Sequence, residues 1–108
     1  MTTKLSPMDL LKELAPEFAK NQMEARSLLF ENERYQRVPA KYKMLTGIAV
    51  AAALGSDMCT RMWTKQAMEK GVTREEIVEA VMIARFMKQA TVNDTAAGAF
   101  EMMRDAPK

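Results

Sequence analysis

The sequence contains no histidine, and this excludes more chemistry than any other feature of its composition. Histidine is the side chain that most often moves protons near neutral pH. Ser-His and Cys-His nucleophilic pairs and histidine-metal sites are therefore ruled out within one chain. A single cysteine, Cys59, excludes an intramolecular disulfide and any Cys₄ or Cys₂His₂ zinc site. Its thiol acts alone or with a group from outside the chain, and no metal or cofactor is expected. Long apolar runs are also missing: the longest, Met44 to Leu54, has 11 residues and includes Thr46 and Gly47, whereas a membrane-spanning helix needs about 20. The segment Met1 to Asp9 is polar with one lysine and lacks the apolar centre of a secretory signal. The expectation is a cytoplasmic protein with no membrane partner.

Charge of one sign is not concentrated anywhere. Sixteen basic and 14 acidic residues give a net charge of +2 and are scattered, so long-range attraction to polyanions is weak. The densest basic stretch, Arg34 to Lys43, interleaves Tyr35 and Tyr42 with four cations. Such a pattern can stack bases and touch phosphates, but no nucleic-acid motif accompanies it. It is read as a solvated loop leading into a helix, without a nucleic-acid partner.

What is present is a globular composition, 48% hydrophobic and 28% charged, in a chain of single-domain length, 1–108, able to bury about 60% of its unfolded surface. Alternating strand patterns are absent and the four glycines and four prolines punctuate helical ones, so the fold class is all-α with about six helices. Ser6-Pro7 starts a helix reaching about Ala15, and Pro16 opens a second to about Glu31. A third runs from near Pro39 to Gly55, with Tyr42, Leu45, Ile48, Ala49 and Ala52 as its apolar stripe. A fourth runs from Ser56 to Lys70, ahead of Gly71. Thr73 with Glu76 three residues on makes a capping box for the fifth, whose apolar surface is Ile77, Val78, Val81, Met82 and Ala84. A last helix covers about Val92 to Arg104, and Thr91 to Asp94 reads either as a loop or as a kinked continuation. Eleven methionines, many in the last three helices, suit core and subunit packing.

Chemistry concentrates in Ser56-Asp57-Met58-Cys59-Thr60-Arg61-Met62-Trp63. Ser56 is placed as an N-cap, which puts Cys59 in the first helical turn. Partial positive charge there favours a thiolate, while Asp57 in the same turn opposes it and Arg61 lies on another face. A buried, inert thiol sharing a face with Met62 and Trp63 is the competing reading. Trp63 is either a core anchor or the wall of a pocket beside the sulfur.

The stretch from about Pro39 to Ala97 resembles the carboxymuconolactone decarboxylase family, which includes alkylhydroperoxidase D. In that family an alanine-rich helix leads into Cys-x-x-Cys-x-x-x-His, a glycine eight residues later, and a threonine or serine with Glu-Glu-Ile opening the next helix. Ala49 to Gly55, Gly71, Thr73, Glu75, Glu76, Ile77 and Glu79 keep this frame without a gap. Trp63 then occupies the histidine position, Cys59 that of the second cysteine and Ser56 that of the first. In the peroxidase branch the second cysteine attacks peroxide and the first resolves it, while an upstream glutamate and the histidine relay protons. No acidic residue lies between Ala40 and Gly55. The resemblance implies an alkylhydroperoxidase D-like helical bundle assembling with itself into trimers or hexamers.

Three functions follow. The first is thiol antioxidant chemistry of the peroxiredoxin type, in which a peroxide oxidises Cys59 and an external thiol reductant, or Cys59 of a neighbouring subunit, resolves it. The second is a non-catalytic oligomer that binds a small apolar ligand or a partner protein beside Trp63. The third is decarboxylation of a lactone acid, for which Arg61 and Arg85 are the cations nearest the motif. The candidate site is thus Cys59, with Ser56, Trp63, Arg61 and Arg85 around it.

Overall fold

The computed structural model describes residues 5–108; the start of the polar N-terminal segment, Met1 to Lys4, lies outside them. Among the described residues there are five α-helices, one short 3₁₀ turn and no strand, in two compact units, 1–40 and 41–108.

In the first unit, α1 (Pro7–Leu14) begins with a reciprocal cap: Ser6 Oγ accepts from the Asp9 backbone N–H at 3.1 Å and the Ser6 N–H donates to the Asp9 carboxylate at 3.1 Å. Ser6-Pro7 marked this start, and Asp9 completes it as a capping box. α2 (Pro16–Phe30) follows at once, because a residue preceding proline is pushed out of helical geometry and Ala15 takes φ −148°, ψ 70°. Beyond α2, Gln36 Nε2 donates to the Leu29 and Asn32 carbonyls, each at 3.0 Å, satisfying acceptors that a helix end leaves open. Arg34 and Tyr35 of the basic stretch sit in the 3₁₀ turn (Glu33–Tyr35) and the residues that follow, up to Tyr42, are exposed, as a solvated connection would be.

The second unit is built from α3 (Ala40–Leu54), which opens at its boundary, α4 (Asp57–Glu69) and α5 (Arg74–Asp105). Glycine ends both α3 and α4. Gly55, at φ +81°, donates to the Ala52 carbonyl at 3.1 Å while Ser56 donates to Ala51 at 2.9 Å. Gly71, at φ +90°, repeats the pattern with Met68, as Val72 does with Ala67. These are Schellman motifs, whose C′ residue needs the left-handed region that glycine enters freely. α5 starts on the expected box: Glu76 N–H donates to Thr73 Oγ1 at 3.2 Å and Thr73 N–H to Glu76 Oε1 at 3.0 Å.

Met44, Ile48 and Ala51 of α3, Ala67 of α4, Val72, and Ile77, Ala80 and Ala84 of α5 are buried in this unit. Ile48 is the largest side chain completely buried among the described residues. The α3 face differs from the stripe anticipated through Tyr42 and Ala52: Ile48 belongs to it, but Tyr42 is 53% exposed. α3 is apolar almost all round, so periodicity alone could not select its inward side. On α5, Val78 and Met82 are likewise exposed, whereas Ile77 and Ala84 are inside. Cross-links between helices are polar as well as apolar. Lys41 pairs with Glu76, and Lys88 Nζ donates to the Ala53 carbonyl at 3.0 Å, capping the end of α3. Thr91 to Asp94 continue the helix, so the fifth and sixth helices are one element of 32 residues.

Candidate functional site

The turn that ends α3 also sets the start of α4, and with it the position of Cys59. Gly55 reverses the chain, Ser56 leaves helical geometry at φ −90°, ψ 96°, and its Oγ accepts from the Cys59 N–H at 3.3 Å. The Ser56 carbonyl takes the Thr60 N–H at 3.0 Å and the Thr60 hydroxyl at 2.7 Å. Ser56 is therefore a structural cap in the first-cysteine position, and Cys59 occupies the first turn of a 13-residue helix. The thiol is exposed in the single chain, against the reading of a buried, inert cysteine.

Electrostatics at this end include an ion pair in the first two turns of α4. Asp57 and Arg61 stand four residues apart, so they share a helix face, and the Arg61 guanidinium lies 3.0 Å from the Asp57 carboxylate. A second contact joins Arg61 Nε to Asp57 Oδ1 at 3.2 Å. Arg61 thus offsets the one carboxylate of the first turn. The i, i+4 spacing carried this signal, although Arg61 does sit on a different face from Cys59.

Trp63 is half-buried against α3. A methyl group added at Gly47 would lie 3.9 Å from its Cδ2, so Gly47 is where α3 and the indole come close. Arg85 is exposed on α5 and its Nη1 lies 4.0 Å from Met82 Sδ of its own helix. Ser56, Cys59, Arg61 and Trp63 belong to α4 and its cap, with Arg61 on another face from Cys59, whereas Arg85 belongs to α5.

Two grooves of the second unit bear on the site. One, of about 420 Å³, runs along α4 beside Asp57, Met58, Arg61, Met62 and Lys65. The other, of about 450 Å³, lies between α3 and α5 over Tyr42, Leu45, Ala49 and Ile83, with Glu76 and Glu79 at its rim. Neither is lined by Cys59 or Trp63. The α3 and α5 groove was not anticipated; its signal was the excess of apolar residues on α3 beyond what one buried face requires.

Glu76 is the most perturbed acid. Hydrogen bonding from Lys41 comes first and the Thr73 backbone N–H second, and together they hold its carboxyl down to about 2 from an ordinary 4.5. Lys41 is raised in return, chiefly by the same bond. These groups pin the start of α5 to the start of α3, which gives Glu76 a structural task rather than one in proton transfer. No described helix is long and apolar enough to cross a membrane.

Comparison with known proteins agrees with this architecture. No curated protein matches the chain. The crystal structure of a protein from Methanobacterium thermoautotrophicum is similar to it, with a TM-score of 0.75 and 28% sequence identity over 84% of this chain and 95% of that one. The model of the carboxymuconolactone decarboxylase family matches residues 16–102, beyond both ends of the stretch that carries the motif frame. The capped all-α architecture and this match together establish that the chain belongs to the carboxymuconolactone decarboxylase family.

Proposed function

We propose that the protein is a single-cysteine thiol peroxidase of the carboxymuconolactone decarboxylase family, working as a homo-oligomer in the cytoplasm. The observation that carries this reading is the exposed Cys59 thiol in the Ser56-capped first turn of α4. A helix N-terminus stabilises negative charge, and pairing of Asp57 with Arg61 leaves that field less opposed. The thiolate sulfur attacks the terminal oxygen of a hydroperoxide and the O–O bond breaks. The alkoxide takes a proton from water and leaves as the alcohol. Sulfur is oxidised to a sulfenic acid, which an external thiol converts to a mixed disulfide with loss of water. A second thiol releases Cys59 and departs in a disulfide with the first. A reducing cytoplasm supplies such thiols.

Trp63 in place of histidine removes a proton relay, so water carries the protons. Ser56 in place of the first cysteine removes the internal resolving thiol, so the reductant comes from outside. The test is peroxide consumption with a small dithiol as reductant, in wild type and Cys59→Ser. Turnover that disappears in Cys59→Ser supports the proposal; turnover unchanged in that variant contradicts it.

The α3 and α5 groove favours a second reading, a binding protein for a small apolar ligand, because its floor is mainly apolar while Glu76 is already committed to Lys41. Peroxide inertness of Cys59, combined with ligand-dependent fluorescence quenching in a Tyr42→Ala-sensitive manner, would favour that reading over the first.

A further inference from the structure

The groove between α3 and α5 has two chemically different ends, because the helices run in the same direction along it. Lys41 at the start of α3 pairs with Glu76 at the start of α5. Lys88 of α5 reaches the Ala53 carbonyl near the end of α3, across the same separation of 35 residues. One end of the groove therefore holds Tyr42, Glu76 and Glu79, and the other holds Ala49, Val50 and Ile83. From Tyr42 to Val50 its floor is about 12 Å long, at 1.5 Å per residue. The first end is acidic and aromatic; the second is apolar.

The charges at the acidic end do not cancel. Glu76 is held by Lys41 and by the Thr73 backbone, whereas Glu79 has neither an ion pair nor a hydrogen bond among the described residues. No lysine or arginine lines the groove. Hydrogen-bond donors are scarce as well: the Thr46 hydroxyl is already directed to the Tyr42 carbonyl at 2.7 Å, which leaves the Tyr42 phenol. The positive end of α5 is answered by its own first-turn acids, Glu75 and Glu76. An anion entering here would meet the Glu79 charge with little to receive it. A cation would neutralise that charge.

We propose that the groove binds a small organic amine with an apolar body. Its ammonium group sits between the Glu79 carboxylate and the Tyr42 ring, and its body lies on Leu45, Ala49, Val50 and Ile83. The inference rests on the second reading above, that this groove takes a small ligand, and adds the class of that ligand; it does not depend on the chemistry of Cys59. An ammonium donates charge-assisted hydrogen bonds to a carboxylate, and an adjacent phenol ring attracts it through the ring face. Val50 is 51% exposed and Ile83 60%, so a bound body removes apolar surface from water. The volume of about 450 Å³ falls within the roughly 300–1,000 Å³ of small-molecule sites.

The experiment is equilibrium dialysis of the full chain against three probes of one skeleton: phenylbutylamine, the corresponding alcohol and the corresponding carboxylate. Wild type is compared with Glu79→Gln and Ile83→Ser, both at exposed positions, with circular dichroism as the check on folding. At low salt the amine should bind about threefold or more tighter than the alcohol, from an exposed ion pair and an exposed cation–π contact. The carboxylate should bind least, and the advantage of the amine should shrink as salt is added. Glu79→Gln should bring the amine to the affinity of the alcohol while leaving the alcohol unchanged, and Ile83→Ser should weaken both. An alcohol that binds as tightly as the amine, or an amine advantage that survives in Glu79→Gln, overturns the cationic class while leaving an apolar ligand in the groove. Binding of amine and alcohol that ignores Ile83→Ser overturns the site. Absence of binding by all three probes in wild type overturns both this inference and the reading on which it rests.

Discussion

Replacing Gly55 by alanine tests how the turn before α4 is built, and Gly47→Ala supplies a control of opposite sign. Gly55 has φ +81°, and a Cβ there would meet nothing within 4 Å. The penalty is thus purely conformational, about 1–2 kcal/mol for an L-residue forced into the left-handed region. Restricting the unfolded chain returns about 0.4–1 kcal/mol, which leaves a net destabilisation near 1 kcal/mol. Gly47 sits inside α3, and its added Cβ would make an ordinary contact 3.9 Å from Trp63 Cδ2. Removing a helix-interior glycine should stabilise by about 0.5–1 kcal/mol. The two variants should therefore differ by about 1.5–2 kcal/mol in urea unfolding followed by circular dichroism, at one fixed protein concentration because association contributes to apparent stability. A Gly55→Ala protein as stable as wild type would refute the Schellman account of this turn, and a destabilised Gly47→Ala would refute the open contact with Trp63.

The remaining predictions concern charge. Glu76 is held down to about 2, below its unfolded value, so its contribution to stability is complete above about 4.5 and is lost as pH falls through about 2. Glu76→Gln should have a lower Tm at neutral pH and a flatter decline across that window; an unchanged acid profile would remove Glu76 from the account. Arg61→Ala exposes Cys59 to an uncompensated Asp57. Reaction of the thiol with peroxide should then slow, by more at low salt than at high salt because the pair is exposed. Faster reaction in Arg61→Ala would contradict the proposed role of the pair.

Much of the fold was legible because it is written in local signals. Ser6-Pro7, Pro16, Gly55, Gly71 and the Thr73 box each act within a few residues of their position, and each fixes a boundary that the structure keeps. The inward sides of α3 and α5 were less legible. An alanine-rich helix can bury several faces, and Met44 with Ala51 outcompeted Tyr42 and Ala52 through contacts made far along the chain. Thr91 to Asp94 carry neither proline nor glycine, so no residue there compels a break and α5 runs through. At the site, the N-cap and the place of Cys59 followed from Ser56 alone. The exposure of the thiol did not, because it depends on packing between helices, which local signals do not fix.

Reduction of peroxide by Cys59 passes through a sulfenic acid, and trapping that species shows whether it forms. The protein is treated with one equivalent of a hydroperoxide in the presence of dimedone, and the tryptic peptides are weighed by mass spectrometry. A dimedone adduct is expected on the peptide containing Cys59, formed in proportion to peroxide and abolished by prior thiol alkylation. A Cys59 side chain left without adduct, with the oxygen found instead on exposed methionines such as Met58 and Met62, would contradict it.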